Sequence, residues 1–211
     1  MKISTDMLTS EFKKGNPIIL FDSEKREGEA DLIFHAKNFT AKQNYVLRTH
    51  AGGAIVLAIG QEIARKLELP YLHDVFKNAG VKNTYIKTNY ADTPPYTLPV
   101  NHIKAHTGVT DNDRSLAIRE FETMYSMEDP RTFFLTHFRT PGHLPICLSK
   151  GIENRRGHTE LSIALAKKCG LSECMVLCEM LKEGTALSKL EAQEVAKSKK
   201  LLFIEGRDVD G

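Results

Sequence analysis

With 211 residues, and 29 Lys and Arg against 27 Asp and Glu for a formal net charge of +2, the chain is long enough for one domain with a sizeable core and too evenly charged to have a phosphate backbone as its main partner. No apolar stretch is long enough to span a bilayer, and residues 1–14 alternate polar and apolar side chains instead of presenting an export signal. A soluble, cytoplasmic protein with neither nucleic acid nor membrane as partner is expected, its cysteines, Cys147, Cys169, Cys174 and Cys178, lacking CxxC spacing and serving as reduced packing residues.

Near the start, Thr5 or Asp6 is placed to cap a short helix with Met7, Leu8 and Phe12 on its apolar side, and Gly15 to end it in the left-handed conformation. The unbroken run Pro17-Ile18-Ile19-Leu20-Phe21 predicts a strand covered on both faces. It delivers residues 22–31 as a strand-to-strand loop, in which Arg26-Glu27-Gly28-Glu29-Ala30-Asp31 sets three acids within six residues, just ahead of the apolar Leu32-Ile33-Phe34. Carboxylates crowded at the entrance to a core repel one another unless water or a cation neutralises them, and a bound divalent metal resolves the conflict. Standing alone, the segment reads as a solvated acidic turn, with Gly28 giving either a turn or close backbone approach to a ligand.

Thr40 opens a helix to about Thr49, Gly52-Gly53 breaks it, residues 54–59 form another buried strand, and a helix follows that stops by Pro70. Residues 71–98 lack periodicity and carry turn chemistry at Gly80, Asn83, Asn89, Asp92 and Pro94-Pro95, so residues 87–96 are read as a lid. Residues 100–106 alternate as a strand, and Thr110 followed by Asp113 starts a helix with Leu116, Ala117, Phe121 and Met124 on one face. Arg139-Thr140-Pro141-Gly142-His143 is a turn that cannot be helical. Thr159 or its neighbour opens a helix bearing Leu161, Ala164 and Leu165 that Gly170 ends, residues 175–178 form a strand, Ser188 and Glu191 form a capping box, and residues 201–204 are a closing strand. The interleaving predicts an α+β fold, a mixed β-sheet core with helices packed around it, as a single domain over residues 1–211.

Two further segments carry candidate chemistry. Arg155-Arg156-Gly157-His158-Thr159-Glu160 leads into a helix, so its backbone N–H groups can cradle a phosphate while Arg155 and the Thr159 hydroxyl complete the site; a capped helix with surface arginines is the bland alternative. Glu179 follows apolar residues in an expected buried strand, where desolvation raises a carboxyl pKa and suits it to acid/base work, although a buried carboxylate paired with a lysine or a backbone donor reads equally well.

Taken together, Lys25 through Asp31, Thr107-Gly108-Val109-Thr110 with Asp113-Arg114, Arg139 through His143, Arg155 through Glu160, and Leu177-Cys178-Glu179 resemble the 3,4-dihydroxy-2-butanone 4-phosphate synthase family of riboflavin biosynthesis, in the family's order and through nearly the whole chain. The stand-alone archaeal form is nearest in style, through Asp111-Asn112-Asp113-Arg114, and the implied architecture is that of the YrdC-related folds. The resemblance implies conversion of D-ribulose 5-phosphate to L-3,4-dihydroxy-2-butanone 4-phosphate and formate, by metal-stabilised enediolate formation, dehydration, skeletal rearrangement and formate loss. It implies a pair of Mg2+ ions held by Glu27 and His158, with Mn2+ a substitute because imidazole is an unusual magnesium ligand.

By the same resemblance Arg26, Glu27, Asp31, Thr107, Arg155, Arg156, Gly157, His158, Thr159 and Glu179 contact substrate, and His143, Glu179, Asp31 and Glu29 carry the catalysis, with His143 reaching the site across a homodimer interface. Closure of the lid protects a reactive diketone. Two departures from the family pattern stand out: a short spacing between His143 and Arg155, and a familiar cysteine replaced near Val56. The alternatives are a YrdC-like nucleotide-binding or tRNA-modification protein, against which the balanced charge and the acidic loop count, and a non-catalytic sugar-phosphate sensor.

Overall fold

The computed structural model describes residues 3–81, 88 and 92–209. Helix α1 (Thr5–Lys14) is capped by the Ser4 hydroxyl, one residue ahead of the expected Thr5 or Asp6, and closes on Gly15 at φ +73°. The apolar run forms β1 (Ile18–Phe21), and β2 (Ala30–His35) returns antiparallel to it, so Asp31 belongs to a strand rather than to the preceding loop. Helix α2 (Ala41–His50) begins with a complete capping box between Thr40 and Gln43. Strand β3 (Val56–Ile59) and α3 (Gln61–Lys66) follow as expected.

Helix α4 (Leu72–Asn78) occupies part of the segment that reads as irregular; it buries none of its residues, so no apolar stripe announces it. The expected lid over 87–96 lies partly outside the described residues. Its described end is fastened: Leu72 N–H donates to the Tyr96 carbonyl at 2.8 Å and Leu148 N–H to that of Pro95 at 2.8 Å. Strand β4 (Val100–His102) is shorter than expected and precedes α5 (Asp111–Thr123), capped by Thr110, whose buried face is Ser115, Ala117, Ile118 and Phe121 with Leu116 only half-buried.

Helix α6 (Pro130–His137), capped by Asp129, runs directly into β5 (Phe138–Leu144). The Arg139–His143 string is therefore a strand, not a turn: it contains a cis Thr140–Pro141 bond and pairs antiparallel with β4 around a register shift at Val100/Asn101. Then come β6 (Ile146–Leu148), α7 (His158–Lys168), β7 (Cys174–Glu179), the small hairpin of β8 (Leu181–Lys182) and β9 (Thr185–Ala186), α8 (Lys189–Lys199) with its Ser188/Glu191 capping box, and β10 (Leu202–Glu205).

Six strands form one mixed sheet in the order β10-β1-β2-β7-β3-β6. Pairs β1/β10 and β3/β6 are parallel and the others antiparallel. Period-two alternation splits the side chains between two cores. Ile19, Phe21, Leu32, Phe34, Leu57, Ile59, Val176 and Cys178 pack with Leu47 of α2, Phe121 of α5 and Ala192 of α8. Ile18, Leu20, Ile33, Ala58, Met175 and Leu177 pack on the opposite face with Phe12 of α1 and Leu161 and Leu165 of α7. Burial on both faces explains why these strands read as continuous apolar runs. All four cysteines are free and buried, and among the described residues no helix is long and apolar enough to cross a membrane.

Candidate active site

The register of the sheet assembles the site. Asp31 faces Glu179 across the β2/β7 pair, and by alternation both share the face of Ile33 and Leu177, on which α7 lies. Helix α7 starts at His158, so its N-terminus meets the ends of these strands. The two distant segments, the acidic loop and Arg155–Glu160, thereby border one cavity of about 270 Å³. Glu27, Glu29, Asp31, Arg155, His158, Thr159 and Glu179 line it, together with Val56, Cys147 and the Pro94–Tyr96 stretch.

The acidic loop is built on Asp22, the buried residue that ends the β1 run. Its Oδ1 accepts the N–H groups of Gly28 and Glu29, and its Oδ2 that of Glu27, each at 3.1 Å. Arg26 Nη1 donates to Oδ2 at 3.2 Å. Gly28 stands at φ +70°, a conformation that a side chain would strain, and this lets the chain wrap around one carboxylate. Asp22→Asn places an amide N–H₂ among these donors. The expected cost is about 1–3 kcal/mol, with the loop losing its fixed position; urea unfolding of the variant checks this, and a change below about 0.5 kcal/mol would show that the loop does not depend on Asp22.

His158 is buried, with Nδ1 3.5 Å from Glu27 Oε2 and 3.8 Å from Asp31 Oδ1, and Nε2 3.2 Å from the Glu29 carbonyl oxygen. Burial opposes its charge, but the carboxylates of Asp31, Glu27 and Asp22 together outweigh burial and lift its pKa to about 9. The acids respond to the same crowding. Burial, then repulsion from Glu179 and Glu27, pushes Glu29 up to about 7. Burial, partly offset by His158, pushes Asp31 up to about 6, and burial with Asp31 raises Glu179. Several carboxyls poised toward neutrality around one cavity are what proton transfer between carbon and oxygen needs. The crowding inferred from the sequence is thus real, and in the structure imidazolium and the Arg26 guanidinium, which contacts Glu27 directly, supply the opposing charge.

Asp22, Glu27 and His158 each present a ligand atom within 4.8 Å of the others. Hard carboxylate oxygens with one imidazole nitrogen fit a divalent cation. Because Asp22 is committed to backbone N–H groups, Glu27 and His158 are the pair that can turn to an ion at the cavity.

On the other wall, Arg155 is clasped by Asp92 and the fully buried side chain of Glu160. Glu160 also accepts the Lys150 N–H at 3.0 Å, and Asp92 reaches Arg26 at 3.5 Å, linking the two arginines. Gly157 is the α7 N-cap and leaves the first turn without a side-chain cap, its N–H groups directed toward the cavity end of the helix. A Cβ on Gly157 would fall 2.3 Å from Arg155 Nη1, so a side chain there would displace the guanidinium from its place across the helix start.

Not every candidate converges here. Arg156 donates to the Gly206 carbonyl at 3.0 Å and does not line the cavity. Thr107 and His143 do not line it either; they form a separate unit around Asn101. Asn101 Oδ1 accepts the His143 N–H at 2.8 Å and its Nδ2 lies 3.1 Å from His143 Nδ1. Gly108, at φ +87°, packs so closely on the Asn101 carboxamide that a Cβ would stand 2.3 Å away. Asp113 secures the turn: desolvation pushes its carboxyl up, but the N–H groups of Gly108, His106 and Thr107 that it accepts together outweigh this and hold it down to about 2.

Asp22, Asp92 and Glu160 escape a reading of motifs. Asp22 had a signal, an acid directly ending a buried strand; Glu160 sits inside the quoted string without a role; Asp92 carries none.

Comparisons with known proteins agree with this geometry. A family model described as 3,4-dihydroxy-2-butanone 4-phosphate synthase matches residues 6–210. The chain is 36% identical over 211 residues to the 3,4-dihydroxy-2-butanone 4-phosphate synthase of Archaeoglobus fulgidus, covering 94% of this chain and 89% of that protein. It is 35% identical to the one from Methanosarcina mazei, covering 93% and 85%. Among solved structures it is similar, with a TM-score of 0.78 and 26% identity over 98% of this chain and 94% of the other, to a 3,4-dihydroxy-2-butanone 4-phosphate synthase in complex with two magnesium ions.

Proposed function

This chain belongs to the 3,4-dihydroxy-2-butanone 4-phosphate synthase family, enzymes of riboflavin biosynthesis, and we propose that the cavity between the acidic loop and α7 is where it converts D-ribulose 5-phosphate to L-3,4-dihydroxy-2-butanone 4-phosphate and formate. The observation that carries this reading is the meeting of Glu27, Glu29, Asp31 and Glu179 with His158 at the N-terminus of α7.

Charge pattern orients the substrate. The phosphate goes to the cationic wall, where Arg155, the uncapped N–H groups after Gly157 and the Thr159 hydroxyl meet, and the sugar hydroxyls go to the acids. Glu27 and His158 hold Mg2+, with Mn2+ as substitute, and such an ion supplies Lewis-acid stabilisation to charge developing on adjacent sugar oxygens. Glu29 and Asp31, with pKa values near neutrality, and Glu179 beside them are placed to take a proton from carbon and return one to oxygen. Arg26 steadies Glu27 and, through Asp92, the phosphate-side arginine.

The Asn101 unit completes the site from a second copy of the chain. It presents His143 and Thr107 on a surface where Ile103 and Val109 are 47% and 50% exposed, apolar area of the kind a partner covers. The chain forms one domain, supported by the pairing of its first and last strands side by side in one sheet. Four free, buried thiols support a reducing, cytoplasmic setting. Formate release from ribulose 5-phosphate tests the whole reading. It is expected to stop in excess EDTA and to return with magnesium; undiminished release in the chelator would overturn the metal assignment, and no release in magnesium would overturn the activity.

A further inference from the structure

We propose that a second cavity, on the face of the sheet opposite the candidate active site, binds an amphipathic anion: a ring-sized apolar body carrying one anionic head group. It lies in the gap between α2 and α8 and has a volume of about 320 Å³, at the lower end of the roughly 300–1,000 Å³ usual for small-molecule sites.

Val46 of α2 and Val195 of α8 form its walls with Leu201, and its floor is Leu32, Phe34 and Met180. Its rim is cationic. Lys14, Lys42 and Lys199 border it with His50, and among the described residues no Asp or Glu does. Lys14 is engaged by Glu11 at 3.0 Å, whereas among the described residues Lys42, His50 and Lys199 have no carboxylate partner. Lysines with apolar stems and unpaired ammonium groups around an apolar floor complement an apolar body with a single anionic end. The ends of α1 and α8 that border it are C-termini, and in the first turn of α2, which also borders it through Lys42 and Gln43, the N–H groups are already taken by the Thr40 side chain, so the head group rests on the lysines.

The location connects this cavity to the acids. Leu32 follows Asp31 and Met180 follows Glu179, so alternation along the chain points each neighbour to the opposite face. The Met180 N–H also donates to the Ala30 carbonyl at 2.8 Å, tying the two strand ends together. An occupant rests directly on the chain positions next to two of the carboxylates of the candidate active site.

The probe is 8-anilino-1-naphthalenesulfonate, titrated by fluorescence against the intact protein, with N-phenyl-1-naphthylamine as the same ring system lacking the charge. The sulfonate is expected to saturate one site per chain and to bind at least about ten-fold more weakly to Lys42→Glu/Lys199→Glu. The neutral compound is expected to bind the native protein more weakly than the sulfonate and to be insensitive to the charge reversal. Val46→Phe, which narrows the gap without touching charge, is expected to weaken both. Saturating ribulose 5-phosphate is expected to leave the sulfonate bound. Unchanged sulfonate affinity in the charge-reversed protein, equal affinity for the neutral compound, or displacement by ribulose 5-phosphate would each overturn the proposal.

Discussion

Glu27→Gln and His158→Ala are each expected to lower formate release from ribulose 5-phosphate by at least about 10³-fold in saturating magnesium, the scale of losing a principal stabiliser of transition-state charge. Glu27→Gln is the more informative of the two. It keeps the size and shape of the side chain, and the loop still hangs from Asp22 through three backbone N–H groups, so the fold has no reason to change. Circular dichroism and the melting temperature should stay close to native while activity disappears. His158→Ala removes, besides the proposed ligand, the buried imidazole facing Glu27 and Asp31, and leaves Arg26 alone to answer their repulsion. A lower melting temperature should accompany its loss of activity. If Glu27→Gln retained near-native turnover in magnesium, neither the metal assignment nor the substrate orientation built on it could stand.

His143→Ala and Glu179→Gln, each inactive alone, are expected to recover about a quarter of native activity when mixed in equal amounts and allowed to exchange subunits. The fraction follows from symmetry: half of the dimers are mixed, and in each of these one site receives both intact residues while the other receives neither. Such recovery requires His143 to act on a neighbour's cavity. Within one chain the histidine is fastened to Asn101 in the β4/β5 pair and is not among the residues lining the cavity that contains Glu179. Absence of recovery in demonstrably exchanging dimers would show that the Asn101 unit serves its own chain or has no part in catalysis.

Where local physics decides, sequence reading and structure coincide. Caps written in short polar motifs, Thr110 with Asp113 and Ser188 with Glu191, and the helix start read at Thr40 are present because a nearby side chain satisfies a first-turn backbone donor without tertiary help. Doubly buried strands announced themselves as unbroken apolar runs. What failed lacked such a signal. Helix α4 buries no residue and so has no periodicity to read. The Arg139–His143 string looks like a turn because of its proline and glycine, yet it pairs as a strand: Gly142 lies so close to β4 that a Cβ would meet Val100 and Asn101 backbone atoms at 1.9–2.3 Å.

Sequence alone determined which residue types would be available, and that the acids at the mouth of a core needed positive charge nearby, because desolvation and like-charge repulsion are properties of composition and spacing. It could not determine which cations answer, nor that Asp22 would organise the loop, nor that Arg155 would be shared between Asp92 and Glu160. Those choices rest on the β2/β7 register that sets Asp31 opposite Glu179, and on the packing of α7 that carries its N-terminus to the same strand ends. Distances between residues more than a hundred positions apart are fixed only when the sheet and its helices close around a common core, and electrostatic energy depends on those distances.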